Sequence, residues 1–371
     1  MHHDLIIVGG GPVGAGMARA ARGLSVALVA QERRAAEPRL EGRFDARVYA
    51  LSPANAAFLQ LEKSALTPVH AMRIYGDDDS HIEFDAYRAG VPALAYIVED
   101  SVLQATLWEG LHAEIGGQAL SVEESLVRVG LEDGRELTAK LIVGADGAES
   151  RVRQHAGIAA RTKPYGQSAV VANFACEHPH ANTAYQWFQG GPVLALLPLP
   201  GNHVSMVWSL PTQEASRIAG LEGKDFCTEV AAATAHALGA LEMVTPPRSY
   251  PLRRLSARRM IAPRVALAGD AAHVIHPLAG QGLNLGLQDV RTLLQVLQAP
   301  ESIRDVGDWR LLRRYERARA EPILAMDIMV DGLYRLFGAQ SEGAARLRNS
   351  GLNLTNRLAV VKNLLIRQAM N

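Results

Sequence analysis

Six residues near the amino terminus, Gly9-Gly10-Gly11-Pro12-Val13-Gly14, constrain the fold more than any others in the chain. They follow an apolar run, Asp4 to Val8 (DLIIV), and precede a stretch of small residues, AGMARAARGL. A second apolar run, Ser25 to Ala30 (SVALVA), comes next. Short uninterrupted apolar runs bounded by turn residues read as strands buried on both faces, with a helix between them. Gly9, Gly11 and Gly14 match G-x-G-x-x-G in the strand–turn–helix–strand context that the pattern requires. Gly9 permits the tight turn, Gly11 lets a pyrophosphate approach the backbone, and Gly14 lets helix and strand pack. The helix start adds unpaired N–H groups and a positive dipole end. The expected fold class is α/β, with a doubly wound, Rossmann-like dinucleotide-binding domain. An acid for the ribose belongs at the end of the second strand. Here Ala30 is followed by Gln31 and Glu32. Either Glu32 reaches the ribose across a longer turn, which is the favoured reading, or Gln31 substitutes through its amide.

The strand-then-glycine pattern returns twice. Leu141 to Ala145 (LIVGA) ends in Asp146-Gly147, and a helix starts soon after with Ser150 and Arg153. Taken alone, Asp-Gly at a strand tip is a turn. Val265 to Ala268 is a third strand, with Gly269-Asp270 at its tip and a helix expected near Gly280. Three strands that carry glycine at their carboxyl ends imply one shared sheet edge, the place where open α/β sheets bind ligands. In GDAAHVIHPLAGQGLNLGLQD (Gly269 to Asp289), Asp270 can accept hydrogen bonds from a polyol, and His276-Pro277 can form a stiff wall. Gly280, Gln281, Gly282, Leu283 and Asn284 can turn backbone N–H groups toward the electron-rich edge of a flat ring. His273 and His276 are not at i,i+4 spacing and have no acidic or cysteine ligands at metal spacing, so no metal site is expected.

Composition narrows the class. The 371 residues are 48% hydrophobic and 20% charged, which suits a globular protein of about two domains. Lys+Arg and Asp+Glu are both 38, so the basic excess of a nucleic-acid binder is missing. Cys176 and Cys227 form no metal motif or disulfide framework, and a reducing, cytoplasmic setting is expected. MHHDLIIVGGG lacks a long apolar core, so no signal peptide is expected. Without a run of 18 uncharged apolar residues, nothing is expected to span a membrane.

In this order GGGPVG, GADGAESRVR and GDAAHVIHPLAGQGLNLGLQD resemble the three fingerprints of FAD-dependent aromatic hydroxylases of the hydroxybenzoate-hydroxylase superfamily. FDARVYALSPA (Phe44 to Ala54), YIVEDSVLQATLWEGL (Tyr96 to Leu111), AYQWFQGGPVLALLPLP (Ala184 to Pro200) and VSMVWSLP (Val204 to Pro211) are similar to the ubiquinone-biosynthesis hydroxylases within it. The resemblance extends to about residue 330, and more loosely into the tail.

The resemblance implies a discontinuous FAD domain at 1–67, 98–163 and 259–330. It implies an inserted β-sheet substrate domain at 68–97 and 164–258, and C-terminal helices at 331–371. It places Arg47 beside the flavin or pyrophosphate and Gln104 at the ribityl or phosphate region. It makes Asp146 and Gly147 a motif shared by FAD and a transient NAD(P)H, and gives Asp270, next to Gly269, the ribityl chain. Pro277 through Asn284 line the isoalloxazine, with Pro277, Gly280, Gln281 and Gly282 on the reacting face. The family usually has Glu where this chain has Ala30, and Glu-Asn where it has Glu99-Asp100. The implied reaction is hydroxylation of the ring of a prenylated phenol or quinol in ubiquinone biosynthesis, through a flavin C4a-hydroperoxide formed with O2. The alternatives are a soluble hydroxylase of a small aromatic compound and a flavin-binding scaffold without chemistry.

No catalytic base emerges. His203 and Tyr185 lie in the substrate region, and a lone histidine there is more often structural. Trp187, Phe188, Trp208 and Tyr250 read equally as pocket or core, while LALLPLP favours a greasy substrate. From Gly343 to Asn371 the charges Arg346, Arg348, Arg357, Lys362 and Arg367 are all basic, and Leu354, Leu358, Val361 and Leu365 share helical spacing. The tail reads either as a helix packed on the FAD domain or as a peripheral contact with an acidic membrane surface or an accessory lipid-binding protein.

Overall fold

The computed structural model describes residues 2–32, 44–76, 80–188, 190–277, 280–299 and 305–338. The first strands are β1 (His2–Val8), β2 (Val26–Ala30), β3 (Val48–Leu51), β4 (Thr67–Val69), β5 (Ala71–Tyr75), β6 (His81–Asp85) and β7 (Ala95–Glu99). Then come β8 (Ala113–Ile115), β9 (Gly117–Val122), β10 (Val127–Leu131), β11 (Glu136–Gly144), β12 (Ala160–Cys176), β13 (Thr183–Phe188), β14 (Val193–Leu199) and β15 (His203–Pro211). The last are β16 (Leu241–Met243), β17 (Arg248–Ala257), β18 (Ile261–Ala262), β19 (Val265–Leu267) and β20 (His273–Val274). The helices are α1 (Pro12–Ala20), α2 (Pro53–Phe58), α3 (Asp100–Trp108), α4 (Arg151–His155), α5 (Thr212–Ala219), α6 (Gly223–Ala233), α7 (Gly282–Leu297) and α8 (Trp309–Gly338).

The chain forms two compact units, residues 1–38, 101–163 and 253–329 in one, and 39–100, 164–252 and 330–371 in the other. Two of the boundaries fall inside β12 and β17. The first unit is built on the sheet β18-β19-β11-β1-β2-β8. From β19 to β8 neighbouring strands run parallel. Leu5, Ile6, Ile7, Leu141, Ile142, Val143, Val265, Ala266 and Leu267 are all inaccessible to solvent, which is why these strands read as continuous apolar runs. β9 and β10 extend β11 by antiparallel pairing. β1 and β11 are neighbours at the centre of this order, and the chain continues from β1 to β2 on one side and from β11 eventually to β19 on the other. Such a reversal point opens a crevice beyond the strands' carboxyl ends.

The second unit holds the sheet β12-β15-β14-β13-β5-β6 and the small sheet β3-β7-β4. Residues 44–67 cluster here because β3 and β4 both pair with β7. On one face of the larger sheet Phe174, Leu194, Met206 and Trp208 pack on Ala215 and Ile218 of α5 and on Phe226 and Val230 of α6. Ala184 and Leu199 form a separate core with Val69 and Ile97. Among the described residues no helix is long and apolar enough to cross a membrane. Leu354, Leu358, Val361 and Leu365, with the basic residues around them, lie outside the described residues.

Candidate functional site

The three strand tips end in one line. Val8 is the register partner of Gly144 on one side and of Val29 on the other, and Gly144 pairs with Leu267. The ladder continues one residue further, with Gly9 N–H donating to Val29 O (2.8 Å), Ala145 N–H to Val8 O (2.8 Å) and Ala268 N–H to Gly144 O (2.9 Å). The segments Gly9–Gly11, Asp146-Gly147, Gly269-Asp270 and Gln31-Glu32 therefore emerge from one edge of the first unit. The single shared edge expected from the repeated pattern is present.

The glycines of the first turn answer different demands. Gly9 has φ +119°, and a Cβ there would strike Ala145 of the neighbouring tip. A Cβ on Gly14 would run into the Gly9 carbonyl. A Cβ on Gly11 would meet nothing within 4 Å. The protein's own packing needs glycine at 9 and 14 and leaves open space at 11. Gly11 is the N-cap of α1, with no side-chain cap and no acid in the first turn. The first N–H groups of α1 lack a side-chain acceptor there, as an anion site requires. Trp108 Nε1–H donates to Gly10 O at 3.0 Å and steadies the turn.

At the second tip, Asp146 Oδ2 accepts from the N–H groups of Arg151 (2.7 Å) and Val152 (3.2 Å) at the start of α4. Asp146 Oδ1 is buried without a hydrogen-bond partner. A buried acceptor left unmade is costly, so a donor such as a ligand hydroxyl suits this atom. Ser150 Oγ accepts from Arg153 N–H (2.9 Å), capping α4. The buried Arg153 guanidinium donates to Ala148 O (2.7 Å) and to Ala271 O (2.8 Å), tying the second tip to the third.

The third tip is fixed from beneath. Asp289 of α7 is fully buried, and its Oδ2 accepts from Gly269 N–H at 2.9 Å and lies 2.6 Å from His273 Nε2. Its Oδ1 accepts from Arg319 Nε of α8 at 2.7 Å. Burial alone would raise this carboxyl's pKa; His273, Arg319 and the Gly269 N–H outweigh it and hold it below the usual range. Tyr315 donates to Leu267 O at 2.7 Å. Asp270 is exposed at the tip. Gly280, at φ +61°, donates its N–H to Pro277 O (2.9 Å). The helix starts at Gly282, two residues beyond the expected Gly280, and its N-cap Gln281 provides no side-chain cap. A Cβ on Gly282 would meet nothing within 4 Å. Leu283 lies in the first turn of α7, and Asn284 is buried there. His276 is buried, and burial pulls its pKa down to about 4.

Gln104 is buried on α3 of the same unit. Gln31 and Glu32 are both exposed just past β2. Arg47 belongs to the second unit, exposed, with its guanidinium 5.0 Å from the centre of the Tyr49 ring. Its backbone is held on both sides. Asp100 N–H donates to Arg47 O (3.1 Å), Asp45 N–H to Glu99 Oε2 (2.9 Å), and Asn173 Nδ2 to Asp45 O (2.7 Å). Asp100 also accepts from Tyr49 OH at 3.1 Å, which ties the first residue of α3 to β3.

The aromatic residues are mostly core. Trp187 and Trp208 pack in the interior with Leu194 and Leu196, and Phe188 is buried, while Tyr250 is 44% exposed. The leucines of LALLPLP are engaged in packing, which removes them as an argument for a greasy substrate. His203 lies against the Phe44 ring at 4.7 Å, with Nδ1 3.1 Å from Pro200 O, a structural placement. Burial pushes the Tyr185 hydroxyl's pKa up, so it stays protonated and cannot accept a proton as a phenolate at neutral pH. Arg153 and the Asp289 cluster had no role assigned from sequence. A lone carboxylate inside the apolar helix stretch LNLGLQDV was the available signal, because such a group must be paired.

Comparison with known proteins agrees with this geometry. The family described as "FAD binding domain" matches residues 117–326, more than half of the chain. The chain is 33% identical to 3-demethoxyubiquinol 3-hydroxylase of Escherichia coli, over 99% of its own length and 98% of that protein. It is 33% identical to ubiquinone hydroxylase UbiL of Rhodospirillum rubrum, over 99% and 89%. In fold it is similar to P. aeruginosa PqsL, with a TM-score of 0.77 at 24% identity, covering 95% of this chain and 99% of that one. These matches establish that the chain belongs to the family of FAD-binding-domain proteins.

Proposed function

We propose that the protein is an FAD-dependent monooxygenase that uses NAD(P)H and O2 to hydroxylate the aromatic ring of a prenylated phenol or quinol in ubiquinone biosynthesis. The observation that carries the reading is the in-register line Leu267–Gly144–Val8–Val29, which brings the glycine-bearing tips after β1, β11 and β19, and Gln31-Glu32 after β2, to one edge. Near-full-length identity to two bacterial proteins named as ubiquinol and ubiquinone hydroxylases supports the substrate class.

The residues present fit FAD. The uncapped start of α1 and the open space at Gly11 suit a pyrophosphate, and the buried Asp146 Oδ1 suits a hydroxyl donor. Glu32 is assigned to the ribose, Gln104 to the ribityl or phosphate region, Asp270 to the ribityl chain, and Pro277 with Gly280–Asn284 to the ring. When bound, FAD supplies hydride acceptance from NAD(P)H and activation of O2. The chain supplies position and polarity. The N–H groups at the start of α7 stabilise negative charge on a ring placed there. His276 is neutral at physiological pH, so this wall adds no positive charge. The first unit is assigned to the cofactor and the second to the substrate.

Purification and a turnover assay test the reading. The protein should be yellow and release intact FAD on denaturation, and a prenylated phenol should stimulate NAD(P)H oxidation. A colourless chain that cannot be reconstituted with FAD contradicts it. A yellow protein indifferent to every phenol would be a flavin-binding scaffold.

A further inference from the structure

The helix α8 buries Leu312, Tyr315 and Arg319 on one side. Its opposite side carries Arg310, Arg313, Arg314 and Arg317, all exposed. Their i, i+3, i+4, i+7 spacing places them on one stripe. At about 3.6 residues per turn the same stripe passes Glu321 and reaches Leu324 and Ile328. Those two side chains are 58% and 62% exposed.

The stripe is basic by arrangement. The chain as a whole has no net charge. Other acids of the helix are engaged off the stripe: Glu316 accepts from Met260 N–H (3.1 Å), and Asp327 pairs with Arg254. Among the described residues, the guanidinium groups of Arg310, Arg313 and Arg317 have no carboxylate partner; Asp308 accepts only the backbone N–H of Arg310 (2.7 Å). Glu321 is the one acid on the stripe between Arg310 and Ile328, and Asp331, three residues further on, is paired with Arg335 at 2.8 Å.

We propose that this face of α8 docks on an anionic lipid bilayer. The arginines complement a surface of lipid phosphates, and Leu324 and Ile328 enter the boundary between headgroups and acyl chains. A nucleic acid or an acidic protein would use the arginines and leave the two large apolar side chains without a purpose. The proposed substrate gives the surface its use, since a prenylated phenol resides in the membrane. The inference rests on that reading for its biological purpose alone, and binding is measured apart from turnover.

The test is flotation of the full-length, FAD-loaded protein with vesicles of phosphatidylcholine containing phosphatidylglycerol, against vesicles of phosphatidylcholine alone. The protein should float with the anionic vesicles at low salt and be released at high salt. Each arginine near such a surface contributes about five-fold in affinity, so Arg310→Gln/Arg313→Gln/Arg317→Gln should weaken binding on the order of a hundred-fold. Leu324→Ser/Ile328→Ser should weaken it as well. All variants should retain FAD and turn over a short-chain, water-soluble phenol like the wild type. If the triple variant loses FAD, Arg310→Gln and Arg313→Gln are read singly, each expected to lose about five-fold. The proposal is overturned if the wild type ignores anionic vesicles, or if the arginine variants float as well as the wild type. It is also overturned if the serine variant is unaffected and duplex DNA binds equally well, which would mark a general polyanion surface. Vesicle binding without hydroxylation of any prenylated phenol would leave the docking surface standing and sink the substrate assignment.

Discussion

Adding one methyl group separates the reasons for glycine in the first turn. Gly11→Ala places its Cβ in open space, at a residue with φ −72° that alanine adopts freely. The FAD-free protein should therefore keep its thermal midpoint, while FAD affinity falls because the methyl occupies the approach to the pyrophosphate. Gly14→Ala drives a Cβ into the Gly9 carbonyl. Overpacking of this kind costs about 1–3 kcal/mol, so the FAD-free protein itself should melt earlier. Parallel melting curves and FAD titrations check the pair. Equal FAD affinity in Gly11→Ala and wild type would mean that the space at Gly11 serves no ligand. Both roles were legible in the sequence, because the G-x-G-x-x-G spacing assigns a separate steric duty to each glycine. The choice between Glu32 and Gln31 was not legible, since both follow β2 and both are exposed.

At the scale of elements, the strands announced themselves and the ties between them did not. Continuous apolar runs mark buried parallel strands locally, whereas the partner of a buried polar residue lies far along the chain. Asp289 joins Gly269, His273 and Arg319, and no periodicity points to that set. Asp289→Asn leaves the Arg319 guanidinium buried without its countercharge, a loss of about 3–5 kcal/mol. Chemical denaturation should show that loss, and FAD should dissociate more readily because Gly269 loses its anchor. An unchanged unfolding midpoint would contradict the charge cluster. Acid acts on the same loop. His276 has a pKa of about 4 in the fold, against about 6.5 unfolded. The unfolded chain then binds the extra proton first. Stability falls as pH drops from about 6.5 to about 4, by roughly 3 kcal/mol in full. Asp289, held below its usual range, adds a further loss at lower pH as it protonates. Thermal midpoints across pH 4 to 6.5 should slope in the wild type and flatten in His276→Asn. Equal slopes would assign the acid sensitivity to other groups.

At the scale of the whole molecule, the chain is interleaved, and each compact unit is assembled from segments far apart in sequence. The motif-bearing strands of the first unit were readable one by one, and their alignment on one edge followed from the repeat of strand and glycine. The second unit was readable as β structure, yet the duties of its aromatics were not. Trp187 and Trp208 proved to be interior packing because the helices α5 and α6 cover their face of the sheet, and local alternation cannot reveal a covering helix. The aligned strand tips are proposed to hold FAD in a protein that inserts an oxygen atom from O2 into a phenolic ring. Turnover of a prenylated phenol under 18O2, with NAD(P)H as reductant and mass spectrometry of the product, tests it most directly. The new ring hydroxyl should carry 18O, and each turnover should depend on bound FAD. A product whose hydroxyl oxygen comes from water, or NAD(P)H oxidation that yields only hydrogen peroxide with every prenylated phenol supplied, would contradict it.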